Sequence, residues 1–174
     1  SKSANSIHVM KMCCSLSKIK DIDVDLFCLS PFINKLKIRD VYKYYLVEKN
    51  FNILRLNVSN FWLFREVQTL IYIVYCLLKK NYDLVYSRSI QISWFLGLFG
   101  VKTILEIHSP PSKKTIFFFK NLLKKNKIKK MIVINAALKD YFIKNFSIHK
   151  KLKIQVSPDA SDKLHIDRNK LKKI

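Results

Sequence analysis

The residues with chemistry to offer are Asn5, Arg88, Glu106, His108 and Ser109. Glu106 and His108 stand two positions apart in a segment that reads as a strand, so their side chains project to the same face. Glu106 then either orients the His108 imidazole or pairs with a lysine. An imidazole at a strand end, neutral or charged, can hydrogen-bond a hydroxyl or help stabilise charge. Arg88 offers a planar guanidinium to an anion, and Ser109 adds a hydroxyl next to His108. Asn5 lies in the run Ser3-Ala4-Asn5-Ser6, a loop of cap residues leading into a helix whose exposed N–H groups can meet a phosphate. Each has a plainer role open to it: Arg88 an ion pair, Asn5 a cap, His108 a hydrogen bond to a neighbouring loop. His8, His149 and His165 have no partner at a useful spacing.

The elements that must position these residues can be read around Asp83–Ser109. Asp83 to Tyr86 reads as a buried strand ending at Ser87-Arg88-Ser89, and Ile90 to Phe99 as an apolar helix closed by Gly100. Thr103 to Ile107 is a second strand that opens onto His108. Two strands joined by a covering helix make a βαβ unit, and its ligand crevice lies beyond the carboxyl ends of the strands. Arg88, His108 and Ser109 all fall there.

The same rhythm runs through the rest of the chain. Ile7 to Leu16 is spaced as a helix, Asp21 to Leu29 as a strand stopped by Ser30-Pro31, Lys37 to Lys49 as a helix and Phe51 to Val58 as a strand. Asn60 caps a long helix from Phe61 to Lys80, with Phe61, Phe64, Val67, Leu70, Ile71, Ile73, Val74 and Leu77 on one broad apolar face. Ser112 to Lys125 and Ala136 to Phe146 follow as helices, Met131 to Ile134 and Lys153 to Val156 as strands. Alternation of this kind predicts an α/β protein with a doubly wound, Rossmann-like parallel sheet, one domain over 1–162 and a charged tail over 163–174.

Composition narrows the classes. Lys plus Arg number 33 against 12 for Asp plus Glu, a formal charge of +21, so the surface attracts phosphate, anionic lipid or nucleic acid. A biased genome gives the same abundance of lysine. No nucleic-acid motif or aromatic-lined basic groove is present, which argues against that partner. The runs Lys124-Lys125, Lys127, Lys129-Lys130 and Lys150-Lys151, with the exposed part of Phe117 to Phe119, are either solvated faces or a rest on an anionic membrane leaflet. Cys13, Cys14, Cys28 and Cys76 show neither CxxC pairing nor zinc-ligand spacing, which fits a reducing compartment. The apolar run Val67 to Leu78 is too short to cross a bilayer and reads as a buried or interfacial helix. Nothing in the sequence calls for a metal or cofactor. The chain starts at Ser1 without an initiator Met, and an upstream segment outside this sequence is expected.

The segments SANSIHVMKMC, DLVYSRS, TILEIHSPP, MIVINAALKDYFI and KIQVSPDASD, taken in order, resemble the N-terminal domain of family 4 glycosyltransferases of the GT-B fold, the group that builds lipopolysaccharide, O-antigen or capsule. The resemblance covers nearly the whole chain. It implies the acceptor-side half of an enzyme that moves a sugar from a nucleotide-sugar donor to a lipid-linked or polysaccharide acceptor with retained configuration. It implies a cytoplasmic protein, peripheral on the inner face of the plasma membrane. His108 matches the cleft position near the transferred sugar, and Asn5 the loop before the first helix. In three places the chain departs from the pattern. Nothing after Asp162 forms a donor domain, and the family's first strand with its Gly-rich turn is absent. The loss of that strand leaves the strands at 22–29 and 83–86 without their shared neighbour, unless they close on each other. Ala160 stands where many relatives carry Gly. The alternative expectation is a non-catalytic basic α/β module that binds an anionic membrane or a partner protein.

Overall fold

Helices and strands alternate from Ala4 to Val156 in a computed structural model that describes residues 4–31, 41–58, 62–124, 127–148 and 152–158. The elements are α1 (Ala4–Leu16), β1 (Asp25–Pro31), α2 (Val41–Tyr45), β2 (Asn52–Val58), α3 (Trp62–Lys79), β3 (Val85–Ser87), α4 (Ile90–Leu98), β4 (Thr103–Ile107), α5 (Ile116–Lys124), β5 (Ile128–Val133), α6 (Ala136–Asn145) and β6 (Lys153–Val156). Strand pairing is parallel throughout these elements.

The expected single sheet is divided. β1 pairs with β2, while β3, β4, β5 and β6 form a separate four-stranded sheet in that order. Among the described residues, β1 and β3 do not pair, so the two strands predicted to lack a common neighbour stay apart. Side chains bridge the seam instead of backbone. Asp25, at the start of β1, accepts from the Tyr82 hydroxyl at 2.6 Å and the Lys80 ammonium at 2.8 Å, and Phe27 meets the Tyr82 ring edge-on. Burial alone would raise the Asp25 carboxyl, but Lys80, Tyr82 and Asn52 together hold it below the usual range.

The main core fills one face of the four-stranded sheet. Leu105 and Ile107 of β4 and Met131 and Val133 of β5 alternate onto that face and meet Phe119 and Leu122 of α5 and Phe142 of α6. A smaller core joins Met10, Cys13 and Cys14 of α1 to Phe51 at the entry to β2. Burial first, with Cys28 and Cys14 nearby, pushes the Cys13 thiol up to about 11, so at neutral pH it packs as a small apolar group.

Local signals explain the βαβ unit. The Ser89 hydroxyl accepts from the Ile92 N–H to cap α4, and Gly100 sits at φ +73 just past its end. Gly97 lets α4 approach the start of β5: a Cβ there would lie 2.7 Å from Lys127 Cβ, an atom tied to its own backbone. Gly97→Ala therefore loses a net 1 to 2 kcal/mol, roughly, because overpacking outweighs the gain in helix propensity. A urea midpoint equal to that of the native chain would contradict this.

Several expectations need correction. α1 begins at Ala4, earlier than Ile7, because Ala4, Asn5 and Ser6 are themselves helical. α2 is confined to Val41–Tyr45 among the described residues, and Asn60, Phe61, the segment 159–162 and the tail 163–174 lie outside them. The broad apolar face of α3 is covered only in part: Thr69 and Ile73 are buried, while Phe64, Val67 and Ile71 are exposed. α3 packs on β2 alone among the strands it meets substantially, and a two-stranded ribbon is too narrow to cover more than one stripe of a helix. Of the aromatic stretch in α5, Phe119 is fully buried, Phe118 half-buried and Phe117 exposed.

Candidate functional site

The carboxyl ends of β3 and β4 lie side by side, with Tyr86 opposite Ile104 and Ser87 opposite Leu105. Neighbouring residues of parallel strands share a face, so Tyr86, Glu106 and His108 project away from the main core. The chain leaves β3 through a tight turn in which the Ser87 hydroxyl accepts from the Ser89 N–H at 3.1 Å and donates to the Ser89 carbonyl at 3.2 Å. That turn holds Arg88 at the rim.

Glu106 is the hub. Its side chain is only 4% exposed, and its Oε1 accepts from Arg88 Nη2 at 2.5 Å and from His108 Nε2, while Oε2 accepts from the Tyr86 hydroxyl at 2.6 Å. Burying a carboxylate costs several kcal/mol, roughly, unless its lone pairs are satisfied. Here burial pushes the group up, but the hydrogen bonds from Arg88, Tyr86 and His108 outweigh it and hold the carboxyl at about 2. Glu106 is therefore ionised at every physiological pH.

An ionised carboxylate only accepts, so the proton on this side of the ring belongs to His108 Nε2. That bond fixes the orientation of the ring from behind. The His108 side chain is 34% exposed and that of Arg88 21%, so both reach solvent from an anchored base. The cluster can present an oriented imidazole and a guanidinium together to a ligand with hydroxyl or anionic groups.

Of the residues singled out in the sequence, Arg88, Glu106 and His108 come together. Ser109 is exposed on the bend directly after His108. Asn5 lies in the first turn of α1, not in a loop before it, and its side chain is outside the described residues. Glu106 bonds His108 and takes Arg88 and Tyr86 as further partners, with no lysine on it among the described residues. Sequence reading missed Tyr86. Its only signal is that it sits two residues before Arg88, and the strand register alone brings it to Glu106. A cavity of ≈ 440 Å³ lies elsewhere, between α1 and the turn after α2, lined by Lys11, Cys14, Tyr45 and Glu48 among others. It runs along α1 from Ile7 and past its end to Lys18, and includes no residue of the Glu106 cluster. Among the described residues no group of three or more His, Cys, Asp or Glu is placed to hold a metal.

Fold and site together define an α/β protein of Rossmann-like kind, with parallel strands and a carboxylate-anchored histidine at the carboxyl end of the sheet. No family model, no curated protein and no solved structure matches the chain.

Proposed function

We propose that the chain is the acceptor-side domain of a GT-B glycosyltransferase. The intact enzyme transfers a sugar from a nucleotide-sugar donor to a lipid-linked or polysaccharide acceptor in lipopolysaccharide, O-antigen or capsule synthesis, with the anomeric configuration retained. A single observation carries this reading: His108, at the carboxyl end of β4, is held by the buried carboxylate of Glu106 beside Arg88 at the end of β3. The order along the chain of the sequence motifs that resemble family 4 enzymes supports it.

On this reading the His108 imidazole touches a hydroxyl of the sugar or acceptor, and Arg88 faces a phosphate. Glu106 is a positioning residue that sets the tautomer. Nucleotide-sugar binding belongs to a second domain joined to this one, and the site of action is the cytoplasmic face of the plasma membrane. His108→Ala in the full-length gene product is expected to lower sugar transfer about 10²- to 10³-fold, the scale of a lost polar contact in the transition state. Unchanged turnover would remove His108 from the site. The net charge of +21 favours a second reading, a non-catalytic basic module on an anionic membrane or a partner protein. Absence of transfer by the full-length product, with membrane binding retained, selects it.

A further inference from the structure

Helix α3 is apolar on two sides, and the fold uses one. Thr69 and Ile73 are buried, and the Thr69 hydroxyl is satisfied within the helix by donating to the Arg65 carbonyl at 2.7 Å. On the outward side Phe64, Val67, Ile71, Tyr75 and Leu78 recur at steps of three or four residues, the spacing of one continuous stripe. Phe64 and Ile71 are each 64% exposed and Leu78 81%. At a rise of about 1.5 Å per residue the stripe runs roughly 21 Å. Tyr72 leans on Tyr75 with ring centroids 6.2 Å apart, and the Lys79 ammonium lies 5.9 Å over the Tyr75 ring, so a cation closes the carboxyl-terminal end.

Scattered apolar residues on a surface need no explanation, but an aligned row of this length marks a covered face. Charge selects the cover. A second copy would bring together two chains that each carry +21, whereas an anionic lipid surface is complementary to that charge. Within α3 the sequence supplies one acid, Glu66, against Arg65 and Lys79. No helix among the described residues is long and apolar enough to cross a membrane, so contact of this kind lies along the surface.

We infer that α3 docks in the plane of an anionic lipid surface, with Phe64, Val67, Ile71 and Leu78 in the acyl boundary, Tyr72 and Tyr75 at headgroup level and Lys79 against lipid phosphate. The inference deepens the membrane contact proposed above by naming the element that makes it. It does not depend on sugar transfer, and its failure leaves the His108 test untouched.

The test is flotation of the 174-residue chain with vesicles of phosphatidylcholine alone and of phosphatidylcholine mixed with phosphatidylglycerol. The native chain partitions onto the mixed vesicles and much less onto the neutral ones. Ile71→Glu with Leu78→Glu lowers that partition about tenfold or more, through lost apolar burial and added charge. Ile71→Ser with Leu78→Ser, which adds no charge, lowers it in the same direction. Circular dichroism and urea midpoints stay at native values, because the altered side chains face water. Equal partition of native and both variants would assign the binding to charge alone and overturn the inference. It is equally overturned if the native chain ignores the mixed vesicles, or if light scattering finds a dimer that the Glu variant splits while no vesicle binding occurs.

Discussion

Glu106→Gln lowers the stability of the chain by about 3 kcal/mol at neutral pH, and the deficit vanishes on acidification. The carboxyl has an ordinary value of 4.5 and is held at about 2 in the folded chain by Arg88, Tyr86 and His108. Each unit of that difference is worth about 1.4 kcal/mol. The folded value lies below the unfolded one, so the unfolded chain takes up the proton first as pH falls. The stabilisation is complete above about pH 5 and drains away towards pH 2. Asp25 is also held low by its partners and contributes an acid limb of its own, shared by native and variant chains. The informative quantity is therefore the difference between the two urea-derived stabilities across this range. Equal stabilities at neutral pH, or a difference that does not shrink with acid, would show that the carboxylate is not the anchor described here.

Phe119→Ala is expected to cost about 3 to 5 kcal/mol, a large share of the total for a domain of this size. Phe119 is fully buried, and its ring packs 5.1 Å from Phe142 and 5.0 Å from Phe146, centroid to centroid. Those rings are fixed by α6 and its carboxyl end, so truncation leaves a cavity that rigid neighbours cannot fill. Phe117, two residues earlier in the same helix, is 64% exposed, and its change to Ala moves stability by under about 0.5 kcal/mol. Thermal or urea unfolding of both variants checks the contrast, and similar losses at the two positions would mean that the core is misassigned.

Much of the local structure was legible in the chain. Thr103–Ile107 and Lys153–Val156 are strands with the bounds read from sequence, and α4 ends one residue short of the helix read there, with Gly100 just beyond in the left-handed region. Ser89 and Asn135 each accept from a backbone N–H three residues on, a signal written in the residue type. The pairing of Glu106 with His108 was also legible, since it needs only a period of two along one strand. Partners on other elements were not. Tyr86 reaches Glu106 because of the register between β3 and β4, and nothing local to Tyr86 encodes that register.

Which part of the apolar face of α3 is covered was not legible for a related reason. Periodicity reports that a helix has apolar residues on a face, but the width of the surface beneath decides how many of them are covered. For α3 that surface is β2 of the narrow two-stranded sheet, and Phe64, Val67 and Ile71 stay in water.

By itself, then, the sequence determined the order in which helices and strands alternate, that the strands would run parallel, and that a histidine and a carboxylate would share one face near a strand end. These follow from side-chain spacing and caps, which act over a few residues. Only the tertiary structure decided that the strands divide into two sheets, that Arg88 and Tyr86 converge on Glu106, and that α3 shows an apolar face to solvent. Those outcomes depend on which strands become neighbours and in what register, and that choice is made by burial and side-chain contacts between segments far apart in the chain.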